Sequence, residues 1–201
     1  MRKTCLTLSL ILLIPMLIGA QEDDYLHFTF GLNHVLKYQR RGDYPSVPAH
    51  SPVCFGMGYT TEFSGRFSFD LQAWYTQRHD VTLKRPGVQD DVEYRTADHV
   101  SLTFNVLFHI LNDPVFIPYL TAGIGLDYVV TDDEVYLSEQ GNEVPFITYR
   151  LDPMFNLGVG LKLVLNEDFG LIIDARYSHI WDAKQNNVLS YVIRGGVIII
   201  L

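Results

Sequence analysis

The segment DARYSHIWDA, from Asp174 to Ala183, contains the residue types of hydrolytic chemistry. A serine, a histidine and an acid are what a nucleophile, its general base and the group that orients the base require. Ser178 and His179 are adjacent, however, and adjacent side chains on a strand point to opposite faces. They therefore do not pair as nucleophile and base, and we expect no enzymatic activity.

Metal and phosphate chemistry is not indicated either. The seven histidines are scattered along the chain without the paired spacing of a zinc site. Segments such as GYTTEF and AGIGLDY contain glycines but open no helix pattern, so they do not predict a phosphate-binding loop. The sequence predicts no cofactor and no metal centre.

Charged residues are stronger candidates for functional residues. They lie in segments where apolar and polar residues alternate, and they share the polar parity. They are three acids and three bases: Asp70, Asp127, Asp174, Lys162, Arg176 and Arg194. Unpaired ions in a narrow interior are costly, so we expect these groups to pair. Asp174 and Arg176 are two apart on one strand face and Arg194 belongs to the next strand. A ladder of Asp–Arg contacts across the last two strands is therefore predicted.

Eight segments with a strand period position these residues. In PYLTAGIGLDY, for example, Leu120, Ile124 and Leu126 share one parity, while Gly123 and Asp127 share the other. The segments are YLHFTFGLNHV, VCFGMGYT, FSFDLQAWY, VSLTFNVLF, PYLTAGIGLDY, FNLGVGLKL, LIIDARYS and LSYVIRGGVIII. Short and long connections alternate strictly between them. This pattern predicts an all-β fold, an eight-stranded antiparallel up-and-down transmembrane β-barrel with short periplasmic turns and longer external loops.

The two parities then face different environments. The apolar parity faces lipid, and the parity of Gly, Thr, Asn, Asp and Arg fills a lumen just wide enough for side chains. Residues predicted to face hydrocarbon include Phe69, Leu102, Ile124, Val159 and Ile173. Aromatic residues near strand ends are expected in the interfacial girdles: Tyr25, Tyr59, Tyr75, Tyr128, Tyr177, Trp181 and Tyr191. A soluble calycin-like barrel is the rival, but it would place glycines outward, where they weaken strands for no return.

The first 20 residues have the layout of a cleaved secretory signal peptide. Arg2 and Lys3 precede an apolar run that ends at about Ile18, and Gly19 and Ala20 follow. Residues 21–201 then form one barrel domain with 13 Lys and Arg against 23 Asp and Glu, a formal charge of −10. No basic nucleic-acid footprint is present, so no nucleic-acid partner is expected.

PYLTAGIGLDY and IIDARYSHIW, with the signal peptide and the strand count, resemble small outer-membrane β-barrel domain proteins of the porin-like and PorT-like kind, related to the OmpA and OmpX type. The resemblance implies the cell outer membrane, with lipid and the barrel-assembly machinery as partners. Some eight-stranded barrels are lipid A deacylases with a His-x-Ser-Asn motif. Here Trp181 stands at the position of that serine and Asp182 at that of the asparagine, so the nucleophile is missing.

The expected function is therefore a structural or surface-binding, adhesion-type role of the external loops. The alternative is a narrow channel for ions or very small solutes. The third long loop contains five acidic residues, and we call it the external acidic loop. These residues are Asp132, Asp133, Glu134, Glu139 and Glu143. Since divalent cations and basic partners bind carboxylates, either is a candidate ligand of this loop.

Overall fold

The computed structural model describes residues 24–38, 52–77, 80–84, 91–95, 98–111, 113–131, 136–137, 143–144, 148–181 and 188–201. The predicted signal peptide lies outside these residues. These described residues contain twelve strands: β1 Tyr25–Tyr38, β2 Val53–Ser64, β3 Phe67–Thr76, β4 Asp80–Lys84, β5 Asp91–Arg95, β6 Asp98–His109, β7 Phe116–Thr131, β8 Tyr136–Leu137, β9 Glu143–Val144, β10 Thr148–Val164, β11 Phe169–Ile180 and β12 Val188–Ile200. Within the described part of the chain, no helix is long and apolar enough to cross a membrane.

Eight of these strands form a closed antiparallel barrel in the order β1-β12-β11-β10-β7-β6-β3-β2. The first and last strands close it, with Tyr25 opposite Ile200 at one end and Tyr38 opposite Val188 at the other. Every barrel strand thereby has a neighbour on both sides, so its backbone N–H and C=O groups find partners. The predicted eight-stranded barrel is confirmed, and all eight segments are barrel strands.

The remaining four strands form two hairpins inside the long connections. β4 pairs with β5, and β8 pairs with β9. The sequence interpretation assigned both regions to loops, because these strands are only five and two residues long. So short a run carries too little alternation to be distinguished from a loop.

Short and long connections lie at opposite ends of the barrel, as predicted. The turn end has the connections 65–66, 110–115 and 165–168, and the loop end has 39–52, 77–97, 132–147 and 181–187. Side chains fix the turns: the Asp113 carboxylate accepts hydrogen bonds of 2.8 Å from the backbone N–H groups of Val115 and Phe116. These bonds from Phe116 and Val115 lower the pKa of Asp113 below its usual range.

The two parities face as predicted. On β7, Ile124 is 70% exposed and Asp127 is fully buried. The prediction that Tyr25 lies in an interfacial girdle is wrong. Tyr25 has the same parity as His27, and its ring is buried in the lumen. Tyr59 has the outward parity, but its side chain is also buried. Its hydroxyl donates a hydrogen bond to the Asp24 carboxylate.

Candidate functional site

A cluster of charged side chains crosses the middle of the lumen. Asp174 on β11 lies directly opposite Arg194 on β12. Arg194 donates from Nε to Oδ1 of Asp174 at 2.9 Å and from Nη2 to Oδ2 at 2.6 Å. Arg176, one inward position further along β11, donates from Nε and Nη2 to the same Oδ2 at 3.2 and 3.0 Å. One carboxylate thus holds two guanidinium groups, and this fork geometry gives strong hydrogen bonds.

Asp70 extends this cluster to the opposite wall. Nη2 of Arg176 lies 3.6 Å from Oδ2 of Asp70, and Nε2 of His27 lies 2.8 Å from Oδ1. Neutral side chains complete the carboxylate's surroundings: Thr60 donates to Oδ1 at 3.1 Å and Asn105 donates to Oδ2 at 3.0 Å. We call the connected set Asp70, Asp174, Arg176, Arg194 and His27 the lumen network. All five side chains are at most 2% exposed.

Inward glycines let long side chains reach the network. His27 on β1 reaches Asp70 on β3 by crossing β2 at Gly58, where an added Cβ would lie 2.3 Å from Nε2 of His27. The opposite wall repeats the arrangement: Tyr119 on β7 crosses β10 at Gly160 and places its hydroxyl 3.4 Å from Oδ2 of Asp174. Because any larger residue would collide with the crossing ring, these glycines are packing requirements of the network.

Two buried apolar clusters flank the lumen network. The loop-end apolar cluster comprises Cys54, Trp74, Met154, Ile180 and Val192. The turn-end apolar cluster comprises Tyr25, Leu107, Tyr119, Ile172 and Ile198. The network touches both, since the Arg194 guanidinium lies 4.6 Å from the Trp74 ring centroid and Tyr119 contacts Asp174. The sequence reasoning missed these clusters, although their members share the inward parity that would have indicated them.

Asp127 and Lys162, also predicted in the lumen, lie apart from the network. Asp127 is near the loop end, where Nδ1 of His99 lies 2.6 Å from its Oδ2 and Ser101 donates to its Oδ1 at 2.5 Å. Lys162 is near the turn end, with its ammonium 4.5 Å from the Tyr25 ring centroid. The six predicted charges therefore occupy three levels of the lumen, and the predicted Asp–Arg contacts of the last two strands lie at the middle level.

The external acidic loop is only partly described. Asp132, Asp133, Glu134 and Glu139 lie outside the described residues, while Glu143 begins β9 opposite Leu137. Among the described residues, no group of three or more His, Cys, Asp or Glu side chains is placed to hold a metal ion.

No protein-family model matches the chain, and no curated protein matches it either. Solved structures do match. Neisserial surface protein A is 14% identical, with 91% of this chain and 99% of that chain covered and a TM-score of 0.62. The N-terminal β-barrel domain of OprF from Pseudomonas aeruginosa is 12% identical, covering 89% and 97%, with a TM-score of 0.55.

A third match is Ail, the attachment invasion locus protein of Yersinia pestis, solved in complex with the heparin analogue sucrose octasulfate. It is 17% identical, covering 89% of this chain and 99% of that chain, with a TM-score of 0.50. Identities this low establish the fold alone. The closed barrel also exposes an apolar outer wall. A wall of this size and composition is suited to the hydrocarbon of a membrane. The protein has the fold of the eight-stranded outer-membrane β-barrels.

Proposed function

We propose that this protein is a non-enzymatic outer-membrane barrel with a closed lumen, which acts as a surface-binding protein through the connections at its loop end. The lumen network supports the proposal of a closed lumen. Two guanidinium groups and two carboxylates lie in the middle of the lumen. Asp174 is hydrogen-bonded to both guanidinium groups, and Asp70 is hydrogen-bonded to His27 and forms an ion pair with Arg176.

Conduction would require these groups to separate within a space that excludes most water. Separating buried ions is costly, because desolvation is offset only while the opposite charges remain paired. The two apolar clusters add a second barrier, since they fill the lumen on both sides of the network. A closed lumen leaves the external connections as the part of the molecule that contacts other molecules.

The nature of the ligand follows from charge. The Ail structure was solved with a bound heparin analogue, so a barrel of this fold is compatible with ligand binding. In this chain the third long connection carries Asp132, Asp133, Glu134, Glu139 and Glu143. Carboxylates attract cations, so we infer that this external acidic loop binds divalent cations or a basic partner rather than a polyanion.

Single-channel recording in planar bilayers tests the closed lumen. We expect the unmodified protein to give no large steady currents, and such currents would instead favour the narrow channel. A calcium titration monitored by the amide resonances of residues 132–143 tests the acidic loop. Amide shifts at millimolar calcium, absent when Asp132, Asp133 and Glu134 are changed to Asn and Gln, are expected. Unchanged spectra would contradict cation binding and leave the basic partner.

A further inference from the structure

Three buried polar atoms lie beside the Arg194 end of the lumen network. They are Nη1 of Arg194, Oγ1 of Thr29 and Nε1 of Trp74, and among the described residues none of them has a hydrogen-bond partner. Their side chains are at most 5% exposed. We call these three atoms the donor group. Since buried polar atoms of native proteins are nearly always paired, the donor group indicates a bound ligand.

Gly56 on β2 brings the donor group together. It lies opposite Thr29 on β1 and opposite Trp74 on β3. A Cβ added at Gly56 would lie 2.7 Å from Oγ1 of Thr29 and 3.5 Å from Nη1 of Arg194. Because both distances are measured from one point, these two atoms are close enough to contact the same ion.

The contacts of Arg194 direct its remaining nitrogen to this place. Asp174 accepts hydrogen bonds from Nε and Nη2 of Arg194, which leaves the two N–H groups of Nη1 for another acceptor. The Trp74 ring centroid lies 4.6 Å from Cζ of Arg194, so the indole packs against the same guanidinium group. The donor group is therefore held by an ion pair and by a ring contact.

The chemistry of the donor group favours an anion over a water molecule. Guanidinium and indole nitrogens donate hydrogen bonds and do not accept them, and a hydroxyl group donates one. A water molecule needs acceptors for its own two hydrogens, whereas a halide ion accepts from all three donors and donates none. The lumen network already contains two carboxylates against two guanidinium groups, so a further multivalent anion would be costly.

We propose that one halide ion, such as chloride, binds to the donor group beside Gly56. The ion links β1, β3 and β12, because each of these strands contributes one donor. A ligand that binds only the folded chain stabilises it, so the halide acts as a structural ion of the barrel.

The indole N–H resonances of the two tryptophans test this proposal in the unmodified protein. Samples are refolded in chloride, bromide or gluconate at equal ionic strength, so that the anion is present while the lumen forms. We expect the Trp74 resonance to differ among the three samples and the resonance of Trp181, which is exposed on the outer wall, to stay the same. This comparison needs no variant.

Anomalous diffraction from protein refolded in bromide locates the ion, and one peak beside Gly56 is expected. Thr29→Val removes one donor with little change of shape, so it should weaken or abolish the peak and the shift of the Trp74 resonance. Thr121→Val is the matched control and should retain both. Thr121 is also a buried threonine with an unpartnered hydroxyl, but it lies on β7, across the barrel from β1.

Identical Trp74 resonances in the three anions would overturn the proposal and assign a water molecule to the donor group. Equal shifts of the two indole resonances would show a general salt effect and would also reject it. A bromide peak away from Gly56, or equal losses in the two valine variants, would place the anion elsewhere and contradict the proposed site.

Discussion

Arg194 and Asp174 face each other across the β11–β12 ladder, and their side chains form a two-point ion pair that is shielded from solvent. The pair anchors the lumen network, because Arg176 binds the same carboxylate and carries the connection to Asp70. We therefore expect the stability of the lumen network to depend strongly on Asp174.

The first prediction concerns that acid. Asp174→Asn removes the carboxylate that both guanidinium groups bind and leaves Arg176 only Asp70, at 3.6 Å. Removing one partner of a buried pair typically costs about 3–5 kcal/mol. We expect a lower midpoint of thermal unfolding, measured by heat-modifiable migration, together with larger currents in planar bilayers. Glu167→Gln, in an exposed turn, is the control with the same change of charge. Equal effects of the two variants would contradict an anchoring role of Asp174.

The second prediction concerns the glycine beneath His27. Gly58→Ala places a methyl group against the imidazole and forces it away from Asp70, and such overpacking costs about 1–3 kcal/mol. Gly195→Ala is the matched control, since its methyl group has open space. The double variant His27→Ala/Gly58→Ala should lose less stability than the sum of the single variants, because the collision is absent. Additive losses would show that the crossing ring is not the cause.

The third prediction concerns the outer wall. Ile124→Arg near mid-membrane should cost about 2–4 kcal/mol of unfolding free energy, measured in lipid vesicles. In a Cys54→Ala background, a cysteine at position 124 should resist a membrane-impermeant thiol reagent. Ready labelling of Ile124→Cys but not of Thr121→Cys would mean that the lipid face and the lumen face had been exchanged.

The fourth prediction separates Asp127 from the lumen network. Asp127→Asn weakens the hydrogen bonds to His99 and Ser101, and bonds to a charged group contribute about 1.5–3 kcal/mol each. Faster hydrogen exchange is expected at the loop end of β6 and β7, with bilayer currents unchanged. Currents as large as those of Asp174→Asn would show that Asp127 also closes the lumen.

The sequence predicted the fold because alternation and connection length are local properties that survive in the barrel. It also predicted that Asp174, Arg176 and Arg194 meet, since adjacent strands and a shared parity suffice for that. Asp127 and Lys162 lie at other levels of the lumen, and the level of each depends on the stagger between strands. The stagger is the shift in register between neighbouring strands. It is a property of the closed sheet, and the alternation of residues along one strand does not predict it.

The crossing side chains were beyond sequence reasoning for a related reason. His27 contacts a residue two strands away, and the alternation that places it in the lumen does not predict which strand its ring reaches. Parity predicted that the glycines make room in the lumen, but which side chain occupies each space follows from the register. Gly195 and Gly196 are neighbours in the sequence, yet they face opposite sides of the wall.

The pairing of the first strand with the last has a consequence for the order of folding. Tyr25 lies opposite Ile200, and the backbone N–H of Leu201 donates to the carbonyl of Asp24, so the two ends of the barrel sequence are contact partners. Contacts of such high contact order form slowly, whereas the β2–β3, β6–β7 and β10–β11 hairpins are local. Until that seam forms, the growing sheet has two unpaired edges, β1 and its most recently added strand, that can recruit a neighbouring chain. The seam is therefore the step at which this protein changes from an aggregation-prone sheet into a cylinder without edges.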